Sequence, residues 1–329
     1  MLSLFRTNQL LFSLLLIFYA AALHIAAFIT ETNWHPTSYG ILSAWLYDWL
    51  PHHTPLAHSI VVLLLVIQAT ALNAIAAMHR FSDNVTLFPG LFYILIASAI
   101  PEFLQLSPLH FANTALLIAI SEMMKIYKKP ACADNIFNIG FWVAVSSLFY
   151  PSYLIFVPFG LIGLNNLRAF NLRESLILLS GVVVPYLLTG TFAFWTDQLE
   201  WLMDLQVMQA FALFGFLPVQ DVVEAYFKIA FVDLFLLTAI LSYGAYLYKK
   251  NIQVQKKISL LYWVLLLGGL TLTIQAGIQL DHMLILAIPL GIMMALSFLN
   301  IRPHWAETLH FFILLVVFFF QYRQFILPE

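Results

Sequence analysis

The residues best suited to chemistry are acidic side chains that stand directly beside apolar segments. Glu31 follows the first apolar run, in FITETNWHPTSYG, and Glu102 lies in IPEFLQLSP between Pro101 and Pro108. A carboxylate at a membrane surface can accept a proton from an attacking hydroxyl group or bind a divalent metal ion. We therefore predict Glu31 and Glu102 as catalytic candidates. A polar helix end at Glu31 and ordinary turn chemistry at Glu102 stay open as alternatives.

Cations and histidines near the same surface could neutralise a phosphate group on a lipid. The candidate set comprises Lys228, Arg323, His58, His110 and His282. Charged side chains form strong hydrogen bonds with phosphate oxygens. We therefore predict that these five side chains bind a lipid phosphate. Two simpler interpretations stay open. They are an i,i+4 salt bridge between Glu224 and Lys228, and an Arg323 side chain that reaches along its helix to water.

Two polar residues lie inside apolar segments. Asp233 interrupts KIAFVDLFLL, and Asn113 lies within LHFANTALLI. An ionisable residue inside a membrane is a candidate functional residue, so Asp233 could face a polar cavity or hydrogen-bond to a neighbouring helix. Amide side chains commonly join helices in membranes, which is the favoured interpretation for Asn113.

The segment DWLPHHTPLAH contains residue types that bind zinc and similar ions. Asp48, His52 and His53 supply the possible ligands. Pro51 and Pro55 interrupt the helix that a paired-histidine motif needs, and HExxH does not occur. We predict no metal site here and keep these three residues as the weak candidates. The need for a divalent metal cofactor stays open.

The composition indicates a membrane protein. The chain has 329 residues, of which 62% are hydrophobic and 9% are charged, and its mean hydropathy is +0.91. Soluble proteins are about a quarter charged, so these few charges cannot cover a water-facing surface. The apolar runs are about 20 residues long and unbroken, which predicts transmembrane helices rather than the alternating strands of a barrel.

We predict an all-α polytopic fold with about eleven transmembrane helices. They cover residues 9–29, 58–79, 86–100, 109–126, 136–149, 152–167, 174–195, 226–248, 258–278, 283–299 and 308–326. With the N-terminus inside, twelve of the fourteen Lys and Arg residues fall on one side of the membrane, and only Lys228 and Arg323 fall on the other. Because cytoplasmic loops are enriched in Lys and Arg, this separation predicts an N-in, C-out protein of the bacterial inner membrane.

The predicted domain organisation is one integral membrane domain over residues 1–329, without a soluble domain. Two long outer loops, 30–57 and 196–225, are amphipathic and rich in aromatic residues, so we expect them to lie along the membrane surface. The inner loops are short and basic, which points to the outer side for a functional site. Membrane lipids and other membrane proteins are the expected partners. The sequence has no basic patch with interleaved aromatic residues, so we do not expect it to bind nucleic acid.

The sequence resembles two groups of membrane proteins. The Phe-rich chain, with NIFNIGFWVAVSSLFYPSYLIFVPFGLIGL, resembles uncharacterised membrane proteins of Bacteroidota. The layout of residues 9–195 is similar to the membrane module of GT-C glycosyltransferases, with LSPLHFANTALLIAISEMM resembling their fourth-span region. Glu31 takes the place of the acidic residue that those enzymes carry after the first helix. The chain departs from their pattern because Glu31 stands alone, Asn113 replaces a frequent acidic residue, and the outer side has few cations.

The GT-C resemblance implies a transferase that moves a sugar from a polyprenyl-phosphate carrier to an acceptor on the outer face. Glu31 would be the base or a metal ligand, and Glu102 would assist it. A second hypothesis is a non-catalytic subunit of an envelope assembly or secretion complex, whose outer loops bind partner proteins. A third is a transporter with Asp233 and Glu122 as coupling carboxylates, although the chain lacks the internal repeat of many transporters.

Overall fold

The computed structural model shows an α-helical chain. It describes residues 2–7, 9–30, 35–36, 39–50, 54–208, 210–212, 222–247, 250–277 and 279–326. Within these ranges no β-strand occurs, apart from an isolated bridge between Phe211 and Gln275. The all-helical prediction is therefore confirmed for the described chain.

The helices follow one another through mostly short connections. The first seven are α1 (Leu2–Phe5), α2 (Leu10–Ile29), α3 (Ile41–Trp49), α4 (Pro55–Met78), α5 (Phe88–Ala97), α6 (Pro108–Lys125) and α7 (Ala133–Phe149). The remaining ones are α8 (Phe156–Leu167), α9 (Leu172–Trp195), α10 (Leu199–Met203), α11 (Val222–Leu241), α12 (Tyr243–Leu247), α13 (Ile252–Ile274), α14 (Ala287–Asn300) and α15 (Pro303–Ile326).

Local sequence signals explain where several helices begin. The side chain of Thr54 accepts a hydrogen bond from the Ala57 amide at 3.2 Å, and Pro55 occupies the first helical position of α4. Ser107 and Pro108 have the same roles at the start of α6. A hydroxyl cap satisfies a free N–H group, while proline lacks an N–H group that would otherwise be unpaired. These signals place the two helix starts at defined residues.

Six helices of the described chain are long and apolar enough to cross a membrane. They are Leu11–Ile29, Pro55–Met78, Leu172–Trp195, Ile252–Ile274, Leu280–Asn300 and Pro303–Arg323. The chain is thus compatible with a multi-pass membrane protein. All eleven predicted apolar segments overlap a helix, but the number of spans and their direction stay predictions.

Two apolar helices form the centre of the fold. Every residue of α5 is buried, and α14 is buried from Ala287 to Phe298. The two helices pack closely, because a Cβ atom added at Gly291 would lie 3.0 Å from the Tyr93 Cα. A helix that is hydrophobic on all sides belongs in an interior. In contrast, α9 and α15 expose most of their apolar surface, as expected of helices that face lipid.

A second close contact joins α7 and α9. A Cβ atom at Gly140 would lie 2.0 Å from the Leu178 carbonyl oxygen, and one at Gly181 would lie 2.2 Å from the Phe137 carbonyl oxygen. Only glycine permits backbones to approach this closely, and such contacts are typical of helix pairs in membranes. The two glycines therefore set the distance between α7 and α9.

The two predicted outer loops meet in the structure. Gln206 is buried, accepts a hydrogen bond from the Ile41 amide at 3.3 Å and donates one to the Ser147 carbonyl oxygen at 2.6 Å. Nearby, the rings of Trp45 and Phe192 contact edge to face. Gln206 thus links the loop after α9 to α3 and to the end of α7.

Candidate functional site

Three short 3₁₀ helices converge at the predicted outer end of the fold. They are Pro101–Leu104, Pro151–Ile155 and Leu280–Leu286, which precede α6, α8 and α14 respectively. The first two begin with proline, which cannot donate the hydrogen bond that would continue a preceding helix. The first 3₁₀ helix contacts the third, and the third also contacts α6. Their polar residues are therefore brought together inside the protein.

Asp281 is the most unusual residue of this region. Its side chain is 2% exposed, and its Oδ2 atom accepts a hydrogen bond from the Ser107 hydroxyl at 2.7 Å. Its Oδ1 atom has no hydrogen-bond partner, and the nearest His282 nitrogen, Nε2, is 3.8 Å away. A buried carboxylate oxygen without a partner is energetically costly, so its presence calls for a functional explanation.

Two tyrosine hydroxyls surround this carboxylate. Tyr47 donates to the Leu106 carbonyl oxygen at 3.0 Å, whereas the Tyr150 hydroxyl is buried without a hydrogen-bond partner. The Tyr150 ring packs edge to face on the His282 ring, with 5.2 Å between centroids. Burial, followed by the negative charge of Asp281, raises the pKa of both tyrosines well above the usual value. Both therefore stay protonated at neutral pH, and Tyr150 retains an unused donor.

Asn113 lies deeper in the same region and is fully engaged. Its Oδ1 atom accepts a hydrogen bond from the Tyr153 hydroxyl at 2.6 Å, and its Nδ2 atom donates to the Leu284 carbonyl oxygen at 3.1 Å. These bonds join α6 to two of the 3₁₀ helices. The geometry agrees with the predicted helix-joining role of this residue.

A second polar group, which we call the ion cluster, consists of Glu102, Glu224, Lys228 and Arg323. The Lys228 Nζ atom lies 2.6 Å from Glu102 Oε1 and 2.7 Å from Glu224 Oε1, while Arg323 pairs with the other Glu224 oxygen. Lys228 is 6% exposed, so its charge is largely removed from water. Three predicted site residues thus meet: Glu102, Lys228 and Arg323.

The charges of the ion cluster balance. Two carboxylates face two cations, and the i,i+4 pair between Glu224 and Lys228 is present as the simpler interpretation expected. The Glu102 Oε2 atom remains buried without a hydrogen-bond partner. Glu102 and Ser107 both lie in the short segment between α5 and α6. This segment therefore contains one of the two unusual carboxylates, Glu102, and the hydroxyl group that hydrogen-bonds to the other, Asp281. A phosphate group could enter the ion cluster only by replacing a carboxylate as partner of the cations.

The predicted histidines are all buried. His110 Nε2 hydrogen-bonds the Phe103 and Gln105 carbonyl oxygens at 3.2 and 3.1 Å, which fixes the turn before α6. His282 adjoins Asp281, and His58 packs edge to face against Phe28. Their roles as phosphate ligands stay predictions.

Two predicted residues stand apart from the clusters. Asp48 is exposed beside a surface cavity of about 410 Å³ that Trp45 and Trp49 also line. Asp233 is half-buried on α11, and no hydrogen bond or ion pair joins it to another described residue. The turn and a half that separates Asp233 from Lys228 places them on different faces of the helix.

Three candidates, Glu31, His52 and His53, lie outside the described residues. Among the residues that are described, no group of three His, Cys, Asp or Glu side chains could hold a metal ion. Because His52 and His53 belong to the candidate metal ligands, the role of a divalent metal stays a prediction.

Sequence reasoning missed Asp281, Ser107 and Tyr150 as site residues. Asp281 and His282 precede the apolar run MLILAIPLGI, where a buried carboxylate and imidazole are unexpected. The position of Asp281 at the edge of a long apolar segment was the sequence feature that could have identified it as a site residue. Its buried position depends on contacts with α6, which no local pattern reveals.

The all-helical fold and its six long apolar helices in the described chain are compatible with a multi-pass membrane protein. A family model described as a family of unknown function, DUF6427, matches residues 1–327, and the chain belongs to this family. No curated protein and no solved structure matches the chain.

Proposed function

We propose that this protein is a transferase of the bacterial inner membrane that moves a sugar from a polyprenyl-phosphate carrier to an acceptor on the outer face. The proposal includes about eleven membrane spans in an N-in, C-out, GT-C-like arrangement. The charge separation of the loops supports that orientation. The predicted outer end is also where the three 3₁₀ helices bring polar side chains together.

One observation carries the proposal: two carboxylates at the predicted outer end each have a buried oxygen atom without a hydrogen-bond partner. These atoms are Glu102 Oε2 and Asp281 Oδ1. A purely structural carboxylate would be expected to have both oxygens hydrogen-bonded, since unmet polar groups destabilise an interior. A carboxylate that must accept a proton from an incoming hydroxyl group needs a free oxygen in the resting protein.

The proposed reaction assigns steps to the residues of the ion cluster. Glu102 takes the proton from an acceptor hydroxyl, whose oxygen attacks the anomeric carbon of the sugar. The bond from that carbon to the phosphate oxygen breaks, and polyprenyl phosphate leaves with the bonding electron pair. Lys228 and Arg323 stabilise the charge on the departing phosphate after exchanging Glu224 for phosphate oxygens.

The test is sugar transfer by the purified protein in liposomes with a panel of labelled polyprenyl-phosphate sugars. Replacing Glu102 with Gln is expected to reduce transfer by about 100-fold, the usual contribution of a general base. Glu122→Gln is the matched control, because Glu122 also pairs with a lysine but lies at the other end of α6. We expect that variant to retain activity within about twofold, since it contributes no base.

The transferase proposal fails if the wild-type protein releases no polyprenyl phosphate from any donor of the panel. It also fails if Glu102→Gln and Glu122→Gln retain equal activity. The melting temperatures of both variants show whether lost activity reflects unfolding rather than lost chemistry.

A non-catalytic membrane subunit is the second candidate, and Asp233 favours it. Asp233 is half-buried on α11 without a described partner, and its helix neighbours Leu234 and Leu237 are half exposed or more. A carboxylate on an apolar face in a membrane is costly unless a cation pairs with it. A transmembrane helix of a partner protein, carrying a Lys or Arg side chain, would supply that cation.

The test measures how tightly a synthetic leucine-rich transmembrane peptide associates with the protein in liposomes. Energy transfer between a fluorophore on the peptide and one on the protein reports this association. A peptide with one central lysine is expected to associate about tenfold more tightly than the all-leucine peptide. The preference should disappear in Asp233→Asn, which keeps the size of the side chain but not its charge. Equal association of both peptides with the wild-type protein would contradict the subunit proposal.

A further inference from the structure

A basic cavity lies at the end of the fold opposite the outer polar site. It has a volume of about 820 Å³ and forms between the loop after α6, the turn between α8 and α9, and the start of α13. The charged and polar residues that matter are Lys128, Lys129, Arg168, Asn171, Glu174 and Lys256. The 18-residue helix α6 separates this cavity from Ser107 by about 27 Å, so it is distinct from the outer site.

Arg168 holds the cavity together and is already neutralised. Its Nε and Nη2 atoms donate to the two Glu174 carboxylate oxygens at 3.1 and 2.9 Å. Its Nη1 atom donates to the Lys129 carbonyl oxygen. The bidentate pair holds the α8–α9 turn to the first turn of α9, and the bond to Lys129 holds it to the loop after α6. Arg168 and Glu174 together add no net charge to the cavity.

The three lysines, in contrast, have only uncharged partners. The Lys129 and Lys256 Nζ atoms donate to the Asn135 Oδ1 atom at 2.8 Å and the Asn166 carbonyl oxygen at 2.7 Å, respectively. Lys128 Nζ lies 5.6 Å from the centre of the Tyr127 ring. The nearby carboxylate Glu122 is paired with Lys125 instead. Three positive charges therefore line one cavity without a counterion from the described chain.

The beginning of α9 adds to this positive potential. Asn171 caps the helix by accepting a hydrogen bond from the Arg173 amide at 3.0 Å, and both Asn171 and Leu172 line the cavity. The N-terminus of a 24-residue helix carries a partial positive charge that favours anions. Lysine side chains and a helix N-terminus together form the environment in which phosphate groups bind.

Two apolar side chains at the rim indicate that the anion belongs to a lipid. Phe170 and Leu172 line the same cavity and are 70% and 65% exposed. In water these surfaces would be unfavourable, whereas acyl chains would cover them at a membrane surface. Basic pockets between transmembrane helices on the cytoplasmic side are typical sites for anionic lipid headgroups.

We propose that this cavity binds the phosphate group of an anionic phospholipid headgroup, with Lys128, Lys129 and Lys256 as its ligands. Free phosphate shares this chemistry but gives no reason for the exposed apolar rim. The inference is independent of the transferase proposal, because it concerns the opposite end of the molecule.

The test compares the affinities of the full-length protein in detergent for phosphatidylglycerol and for zwitterionic phosphatidylcholine. Native mass spectrometry measures the bound lipid as each lipid is titrated. Phosphatidylglycerol is expected to bind at least about tenfold more tightly, because the three lysines attract its anionic headgroup and phosphatidylcholine carries no net charge. The variant Lys128→Gln, Lys129→Gln, Lys256→Gln should lose this preference. The matched control replaces Arg80, Lys125 and Lys250 with Gln, which removes the same charge from the same predicted surface outside the cavity.

Each outcome bears directly on the lipid site. Loss of the preference in the cavity variant but not in the control supports it, provided that both variants keep the wild-type melting temperature. Equal losses in both variants, or no preference in the wild-type protein, overturn it. If millimolar inorganic phosphate displaces phosphatidylglycerol completely, the cavity binds phosphate without needing the lipid, and the lipid assignment is overturned.

Discussion

Replacing Gly181 with alanine is expected to lower the free energy of unfolding by about 3 kcal/mol, the upper end of the usual cost of overpacking. The new Cβ atom would lie 2.2 Å from the Phe137 carbonyl oxygen, well inside the van der Waals distance. The atom that it meets belongs to the backbone of a neighbouring helix and cannot rotate away. The helices α7 and α9 would have to separate, which would disturb the contact beneath the outer loops.

The control for this prediction lies in the same helix. A Cβ atom at Gly190 meets nothing within 4 Å, so Gly190→Ala should leave stability unchanged or raise it by up to about 1 kcal/mol through helix propensity. Unfolding in detergent, followed by tryptophan fluorescence, measures both variants. If the two alanine variants unfold at the same denaturant concentration, the close approach of α7 and α9 is wrong.

Replacing Lys228 with methionine should have the second large effect, a loss of about 3–5 kcal/mol. Methionine keeps the length of the side chain but removes the charge that Glu102 and Glu224 share. Both carboxylates are mostly buried, and leaving a buried charge without its counterion is strongly destabilising. Arg323 would still compensate Glu224, so Glu102 would suffer most.

Two further variants separate charge from packing in the Lys228 prediction. Lys250→Met is the control, because its partner Asp83 is 94% exposed and such surface pairs contribute at most about 1 kcal/mol. Adding Glu102→Gln to Lys228→Met should recover part of the lost stability, since the uncompensated carboxylate disappears. A double variant less stable than Lys228→Met alone would show that the charge of Glu102 is not the cause.

Local patterns predicted the helices well, because apolar runs, prolines and caps act on neighbouring residues. All eleven predicted apolar segments overlap a helix, and Pro101 and Pro151 mark breaks in the chain as expected. The i,i+4 pair between Glu224 and Lys228 was equally accessible, since both residues lie on one helix face.

The site depended on contacts that no local pattern encodes. Glu102 and Lys228 are 126 residues apart, and Ser107 and Asp281 are 174 residues apart. Whether a carboxylate is paired or left with a free oxygen depends on how such distant segments pack. Asp233 illustrates the same limit: its spacing from Lys228 sets only their relative faces, whereas the packing of α11 against α14 decides which face is buried.

The central pairing of α5 with α14 has a consequence for biosynthesis. Translation must add about 190 residues after the end of α5 before α14 begins to emerge. At elongation rates of about 5–20 residues per second, this interval lasts about 10–40 s. During that time α5, a ten-residue helix too short to span a bilayer alone, has α4 but not its main partner. Throughout this interval, the apolar surface of α5 that α14 covers in the finished protein lacks that cover.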